Sequence, residues 1–208
     1  GELQVSGKNE PLLCRLNDRV RSIMANGQLD ARKLSNILWS LTYLSDVLPN
    51  FLQMVRTTMT QISKGKKMNA HDVSNNLWAA ANLREIAPDD VLKLLPVLVS
   101  QVPFTVKEMK PQALSNCLWA AATLRDFAPD VLKIVPVLVS KVPSTVKDMN
   151  SQDLSNSLWA AATLREISPV VLKMVPTLVA RVPFKIKEMN PQNTANCLFA
   201  AAQFDKLV

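Results

Sequence analysis

The sequence predicts an all-α protein, an α-solenoid of about five helix-pair repeats of ~40 residues with a right-handed superhelix expected. Three observations predict it. Trp39, Trp78, Trp119, Trp159 and the equivalent Phe199 recur at intervals of 39, 41, 40 and 40 residues, a spacing that marks one supersecondary unit repeated. Pro88, Pro129 and Pro169 each open a segment that carries Val-Leu-Lys and then a second proline, Pro96, Pro136 or Pro176. Finally, 4 glycines in 208 residues, with 48% hydrophobic side chains rich in Ala, Leu and Val, suit helices throughout.

Each repeat reads as two helices, B and then A. The chain divides into a 1–10 N-terminal extension and a single 11–208 solenoid domain, with pairs at about 11–46, 49–87, 88–128, 129–168 and 169–208. Pro11 to Ala25 (PLLCRLNDRVRSIMA) reads as a diverged helix B. In the fourth copy helix A runs from about Ser151 to Ile167, with Asn150 placed to cap it; Pro111 and Pro191 fit the first helical position in sister copies. Ser168-Pro169 stops that helix, because the residue before a proline avoids the helical region. Helix B then carries Val171, Leu172, Val175, Leu178 and Val179 at helical spacing, and Pro176, like Pro96 and Pro136, is expected to kink it. Arg56 stands in that place in the first copy, so the kink is not essential to the unit.

Helix A carries the most regular sequence. LSNSLWAAATL, from Leu154, has counterparts starting at Leu34, Val73, Leu114 and Thr194. At 100° per residue, Leu154, Leu158, Ala161, Ala162 and Arg165 fall on one side with Trp159 beside them, so the tryptophan column is expected in the core. Asp153, Asn156, Ser157, Ala160 and Thr163 fall on the opposite arc, which is expected to be a polar, accessible strip. The small residue at its centre (Ser40, Ala79, Ala120, Ala160, Ala200) lets something approach closely, whether a base, a ligand or a neighbouring helix.

Beside it an asparagine recurs in every copy, Asn36, Asn75, Asn116, Asn156 and Asn196. Its amide can bond the adjacent repeat or a ligand. Two further positions vary, four residues apart on one face: Lys33/Ile37, Asp72/Asn76, Ala113/Cys117, Asp153/Ser157 and Asn193/Cys197. They are either tolerant surface or a reader, since single-stranded bases can be read one per helical repeat by two or three side chains.

The net charge of +7 and pI near 9.5 favour an acidic partner. Lys67, Lys107, Lys147 and Lys187, just before helix A, would form a row able to follow a phosphate chain. Lys93, Lys133 and Lys173 in helix B and Arg84, Arg125 and Arg165 at the end of helix A make two further rows. Many cations are followed at once by an acid, as in Lys107-Glu108 and Arg165-Glu166, which suits a solvated mixed surface equally well. Phe104 and Phe184 are candidate stacking platforms, although Ser144 interrupts their column.

Other classes find less support. One histidine, His71, no Gly-rich phosphate loop, no paired cysteine ligands and no nucleophile motif give no catalytic, metal or cofactor site, and no small-molecule substrate is expected. Lys, Arg or Pro interrupts every apolar run short of the roughly 18 residues a membrane helix needs. Cys14, Cys117 and Cys197 form no CxxC pair and read as reduced thiols. GELQVSGKNEP has neither the apolar core of a secretory signal nor a transit-peptide bias, so the chain is expected to be processed or recombinant.

The repeated LSNSLWAAATL helix, with its proline-started partner and ~40-residue period, resembles the octotricopeptide repeats, related to FAST-kinase-like and RAP-domain helical-repeat proteins. The resemblance covers roughly residues 11–206. It implies an organellar protein, of chloroplast or mitochondrion, that acts in the maturation, stability or translation of particular RNAs. It also implies that the residues after the asparagine, Ile37, Asn76, Cys117, Ser157 and Cys197, face bases. The functional expectation is a non-catalytic protein binding single-stranded RNA along helix A. The alternative is an adaptor subunit that holds protein segments within an organellar assembly such as a ribosome or photosystem complex.

Overall fold

A computed structural model describes residues 10–26, 29–44, 51–65 and 67–205, so the expected 1–10 extension lies outside the described residues but for Glu10. Among them every regular element is helical, in the order α1 (Glu10–Ala25), α2 (Ala31–Leu41), α3 (Phe51–Ser63), α4 (Ala70–Leu83), α5 (Pro88–Thr105), α6 (Pro111–Leu124), α7 (Val135–Thr145), α8 (Ser151–Leu164), α9 (Val175–Val179) and α10 (Pro191–Asp205). Short 3₁₀ turns join them, so the all-α class stands.

The even-numbered helices from α2 to α10 carry the tryptophan sequence, and their local chemistry sets where they begin. Asn69 and Asn150 cap α4 and α8, each accepting from the backbone N–H three residues on, while Asp72 and Asp153 reach back to the capping residue's own N–H. Asp30 caps α2 in the simpler way. Pro111 and Pro191 open α6 and α10 at the position where no intrahelical donor is missed. At the far end Arg84, Arg125 and Arg165 each donate to the carbonyl three residues earlier, Ala81, Ala122 and Ala162, satisfying acceptors that the ending helix leaves free. These arginines are therefore spent on their own helices.

The prolines of the odd-numbered helices act less uniformly than expected. Pro96 and Pro103 lie inside a single long α5. In the next two units the same stretch begins as 3₁₀ turns, Pro129–Ile134 and Pro169–Lys173, and the α-helix starts beside Pro136 or Pro176. A 3₁₀ segment closes bonds three residues back, which lets the chain accommodate a ring that cannot donate. The expected kink is thus a change of helix type in two copies and absent as a break in another.

Packing follows two rows. α2, α4, α6, α8 and α10 contact one another in succession; in the other row α3 meets α5, α5 meets the Pro129–Ile134 turn and α7 meets the Pro169–Lys173 turn; and α2, α4, α6 and α8 each pack on the helix that follows them, α3, α5, α7 and α9. Leu34, Leu38, Leu77, Leu114, Leu118, Leu154 and Leu158 from the first row meet Val55, Met59, Leu94, Leu98, Val135, Leu138 and Val142 from the second in one continuous core. Arg56 bridges the second row instead, 3.2 Å from Asp90.

Candidate functional site

A helix in the middle of such a row has both flanks covered by like neighbours, and this decides which side chains any ligand can reach. The variable pair falls on a covered flank. Asp72, Asn76, Cys117, Asp153, Ser157 and Asn193 are buried, and Ile37 and Cys197 are half-buried against the core. Asn76 donates its amide hydrogen to the Ser35 hydroxyl of the preceding unit over 2.8 Å. Ser115 donates to the Asp153 carboxylate, and Ser155 to the Asn193 carbonyl oxygen, at 3.1 and 3.3 Å. Burial takes these eight residues out of reach of bases, which corrects the base-facing role expected of them; Asn76, Asp153 and Asn193 instead join one repeat to the next, while Ser157 donates to the Asp153 carbonyl of its own helix. The buried Ala79, Ala120, Ala160 and Ala200 beside them answer the question of what approaches so closely, namely the neighbouring helix.

The uncovered face is narrower and lies one step round. Taking α8 at 100° per residue, Gln152, Asn156, Trp159 and Thr163 share an arc of about 60°, with Asp153 and Ser157 on the flank toward α6 and Ser155 on the flank toward α10. The same strip carries Arg32, Asn36 and Trp39; His71, Asn75 and Trp78; Gln112, Asn116 and Trp119; and Gln192, Asn196 and Phe199. The first residue of each set is exposed, the asparagines are half-buried except for the exposed Asn36, and three of the tryptophans are half-buried.

The tryptophans, of which Trp119 and Trp159 are half-buried and pack against the core, thus sit at its rim rather than inside it, where sequence reasoning had put them. They form a ladder along the strip: Trp39 to Trp78, Trp78 to Trp119 and Trp119 to Trp159 are separated by 6.2, 6.3 and 6.3 Å between ring centroids. Tyr43 packs edge-on against Trp39 at 4.9 Å and Trp39 is 40% exposed. Such spacing is within the range of favourable aromatic pairs, so ring-to-ring contact adds to the partial burial these indoles have at the core's edge. Amides run alongside. Asn196 donates to the Asn156 carbonyl oxygen at 3.3 Å, Gln192 donates to the Asn196 carbonyl oxygen at 3.0 Å, and the Asn75 amide lies 3.1 Å from His71 Nε2. The exposed residue one turn before each asparagine was missed in the sequence, although an i, i+4, i+7 pattern from Gln152 would have found it.

Lys67, Lys107, Lys147 and Lys187 are exposed, and none forms an ion pair among the described residues. They lie at the edge where the tryptophan helices begin. There Lys67 and Phe104 line a depression of about 790 Å³, and Arg32, His71, Lys110 and Gln112 line another of about 350 Å³. Asn69 and Glu108 border both, so the lysine edge runs into the strip. Lys133 is engaged with Asp130 at 2.8 Å, and the Arg181 guanidinium lies 5.1 Å from the ring centroid of the otherwise exposed Phe184.

Burial shapes the titration of the flank residues. Desolvation pushes the Cys117 thiol far above its usual range, and raises Cys197 in the same way. Burial likewise raises the Asp153 carboxyl, opposed by its hydrogen bonds from Asn150 and Ser115. The three cysteines are free thiols, and no group of His, Cys, Asp and Glu among the described residues is arranged to hold a metal ion. No described helix is long and apolar enough to cross a membrane.

Comparison with protein-family models, curated proteins and solved structures finds no match to this chain.

Proposed function

We propose that the chain is a five-unit α-solenoid of octotricopeptide-repeat type that binds single-stranded organellar RNA along the strip of helix A, about one nucleotide per unit. The observation that carries this reading is the partly exposed tryptophan ladder with an asparagine one turn before each ring. Binding a single strand takes an aromatic surface for the bases and cations for the backbone. The ladder supplies the first, and the unpaired lysines at its edge supply the second.

A second reading, an adaptor holding a protein segment, draws support from a different surface. Leu92, Leu95, Pro96, Val99, Phe127 and Pro129 line an apolar depression of about 590 Å³ on the proline-rich row, of a kind that accepts side chains of a partner.

Titration of a pool of short RNAs against the full chain, followed by tryptophan fluorescence at several salt concentrations, separates the two. RNA binding predicts quenching and an affinity that falls as salt rises. No binding at micromolar protein in low salt removes the RNA reading and leaves the adaptor.

A further inference from the structure

The buried flank removes the residues expected to read bases, yet the strip contains a position with the properties a reader needs. One turn before each asparagine stand Arg32, His71, Gln112, Gln152 and Gln192, all exposed and all polar. The asparagine is the same in every unit, and the aromatic below it changes only from Trp to Phe in the last. This position alternates between three side chains of different hydrogen-bonding pattern.

We propose that base identity is set by these five residues, and that the ligand is an RNA in which three consecutive adenines face Gln112, Gln152 and Gln192 while a guanine faces Arg32. The proposal rests on the single-strand RNA reading above and adds to it which side chains discriminate and what they select.

The chemistry is that of matched edges. A glutamine amide presents one acceptor and one donor side by side, as does adenine at N7 and N6; a guanidinium presents two donors to the two acceptors of guanine, N7 and O6. In a single strand those edges are open, and the base faces remain free to lie against the indoles. Geometry places the readers together. Arg32, His71 and Gln112, from three successive units, line one depression of about 350 Å³ with the Lys110 ammonium at its side. Two of the rotamers are also held: Gln192 spends one amide hydrogen on Asn196 at 3.0 Å, leaving its second hydrogen and its carbonyl oxygen for a base. Asn75 holds His71 in the same way at 3.1 Å. The imidazole can donate or accept, so the second unit is expected to discriminate least.

The test uses the full chain and a set of 12-nucleotide RNAs whose central five positions read G-N-A-A-A in either polarity, with each adenine replaced in turn by G, C or U. Fluorescence anisotropy at one fixed salt concentration gives base ratios at each position. The wild type should prefer the three adenines over three cytosines by tenfold or more. Gln152→Arg should shift the preference at the middle of the three from adenine to guanine by fivefold or more, with the outer two unchanged, and Gln112→Arg should do the same at its own position. Both changes are on an exposed helix face, and an unaltered far-ultraviolet circular dichroism spectrum shows the fold is kept. If RNA binds but both variants keep the wild-type base ratios, the five residues are not readers and the RNA function stands without them. If the wild type binds none of the RNAs in low salt, the RNA function and the reading position fall together.

Discussion

Ser115 donates its hydroxyl hydrogen to the Asp153 carboxylate over 3.1 Å, from α6 to α8, at a point where both residues are buried. The same carboxylate closes the capping box at the start of its own helix. One side chain therefore fixes both where α8 begins and how it sits on α6. Asn193 accepts from Ser155 in the equivalent place, which shows that an amide serves the joint as well as an acid does.

That equivalence leads to a pH prediction. Desolvation raises the Asp153 carboxyl above its value in the unfolded chain, so the folded state holds this proton more tightly. Stability from this group is fully present below the unfolded pKa and is lost as pH rises through the folded one. Asp153→Asn should abolish that part of the dependence and change stability at neutral pH by no more than about 1 kcal/mol. Urea titrations of both proteins from the carboxylate range to neutrality check it: the difference between the two curves must slope with pH.

Close approach of the helices makes the small column intolerant of size. Ala120 has no exposed surface, and Ala120→Leu should cost about 1–3 kcal/mol or more through overpacking between α6 and its neighbours. Gln112→Leu, on the exposed strip of the same helix, should stay within about 0.5 kcal/mol. Chemical denaturation of the pair checks this, and equal losses would contradict the division of the helix into flank and strip.

Cys117 is fully buried with its thiol pushed far up, so almost none of it is thiolate. Maleimide or iodoacetamide should leave Cys117 unmodified in the folded protein and reach it only at the rate of opening of the surrounding repeats. Mass spectrometry of timed labelling in increasing urea measures this. Rapid native labelling at Cys117 would mean that the α6 flank is not closed.

Trp119 packs between two other indoles and keeps part of its surface free. On the proposed RNA function, Trp119→Ala should weaken binding of single-stranded RNA by the equivalent of about 1–3 kcal/mol, the range for loss of one stacked base. Trp119→Phe should retain more of it. Anisotropy titrations on variants shown to be folded give the answer, and unchanged affinity in the alanine variant would remove the ladder from the binding surface.

The all-helical class and the starts of the tryptophan helices were legible because a regular period and local caps both mark them in the sequence. Asn150, Pro111 and Pro191 act locally, through bonds within a few residues, and a single sequence records such bonds faithfully. The site was less legible because it depends on what lies beside a helix. Asp153 and Ser157 look like surface on an isolated helical wheel, and Trp159 looks like core. Stacking like helices covers two flanks of each, turning polar residues into joints and leaving an indole at the rim. A wheel drawn for one helix has one buried face, whereas a helix in a row has three.

The ladder has a further consequence. Its three centroid distances differ by only 0.1 Å and its interplanar angles are 39°, 33° and 33°, so successive units meet in nearly the same way along that edge. Indoles this close and this regularly tilted couple their electronic transitions, and the strength of coupling follows their separation. The near-ultraviolet spectrum of the protein is therefore a strain gauge for the array, reporting any bending of the strip without an added label.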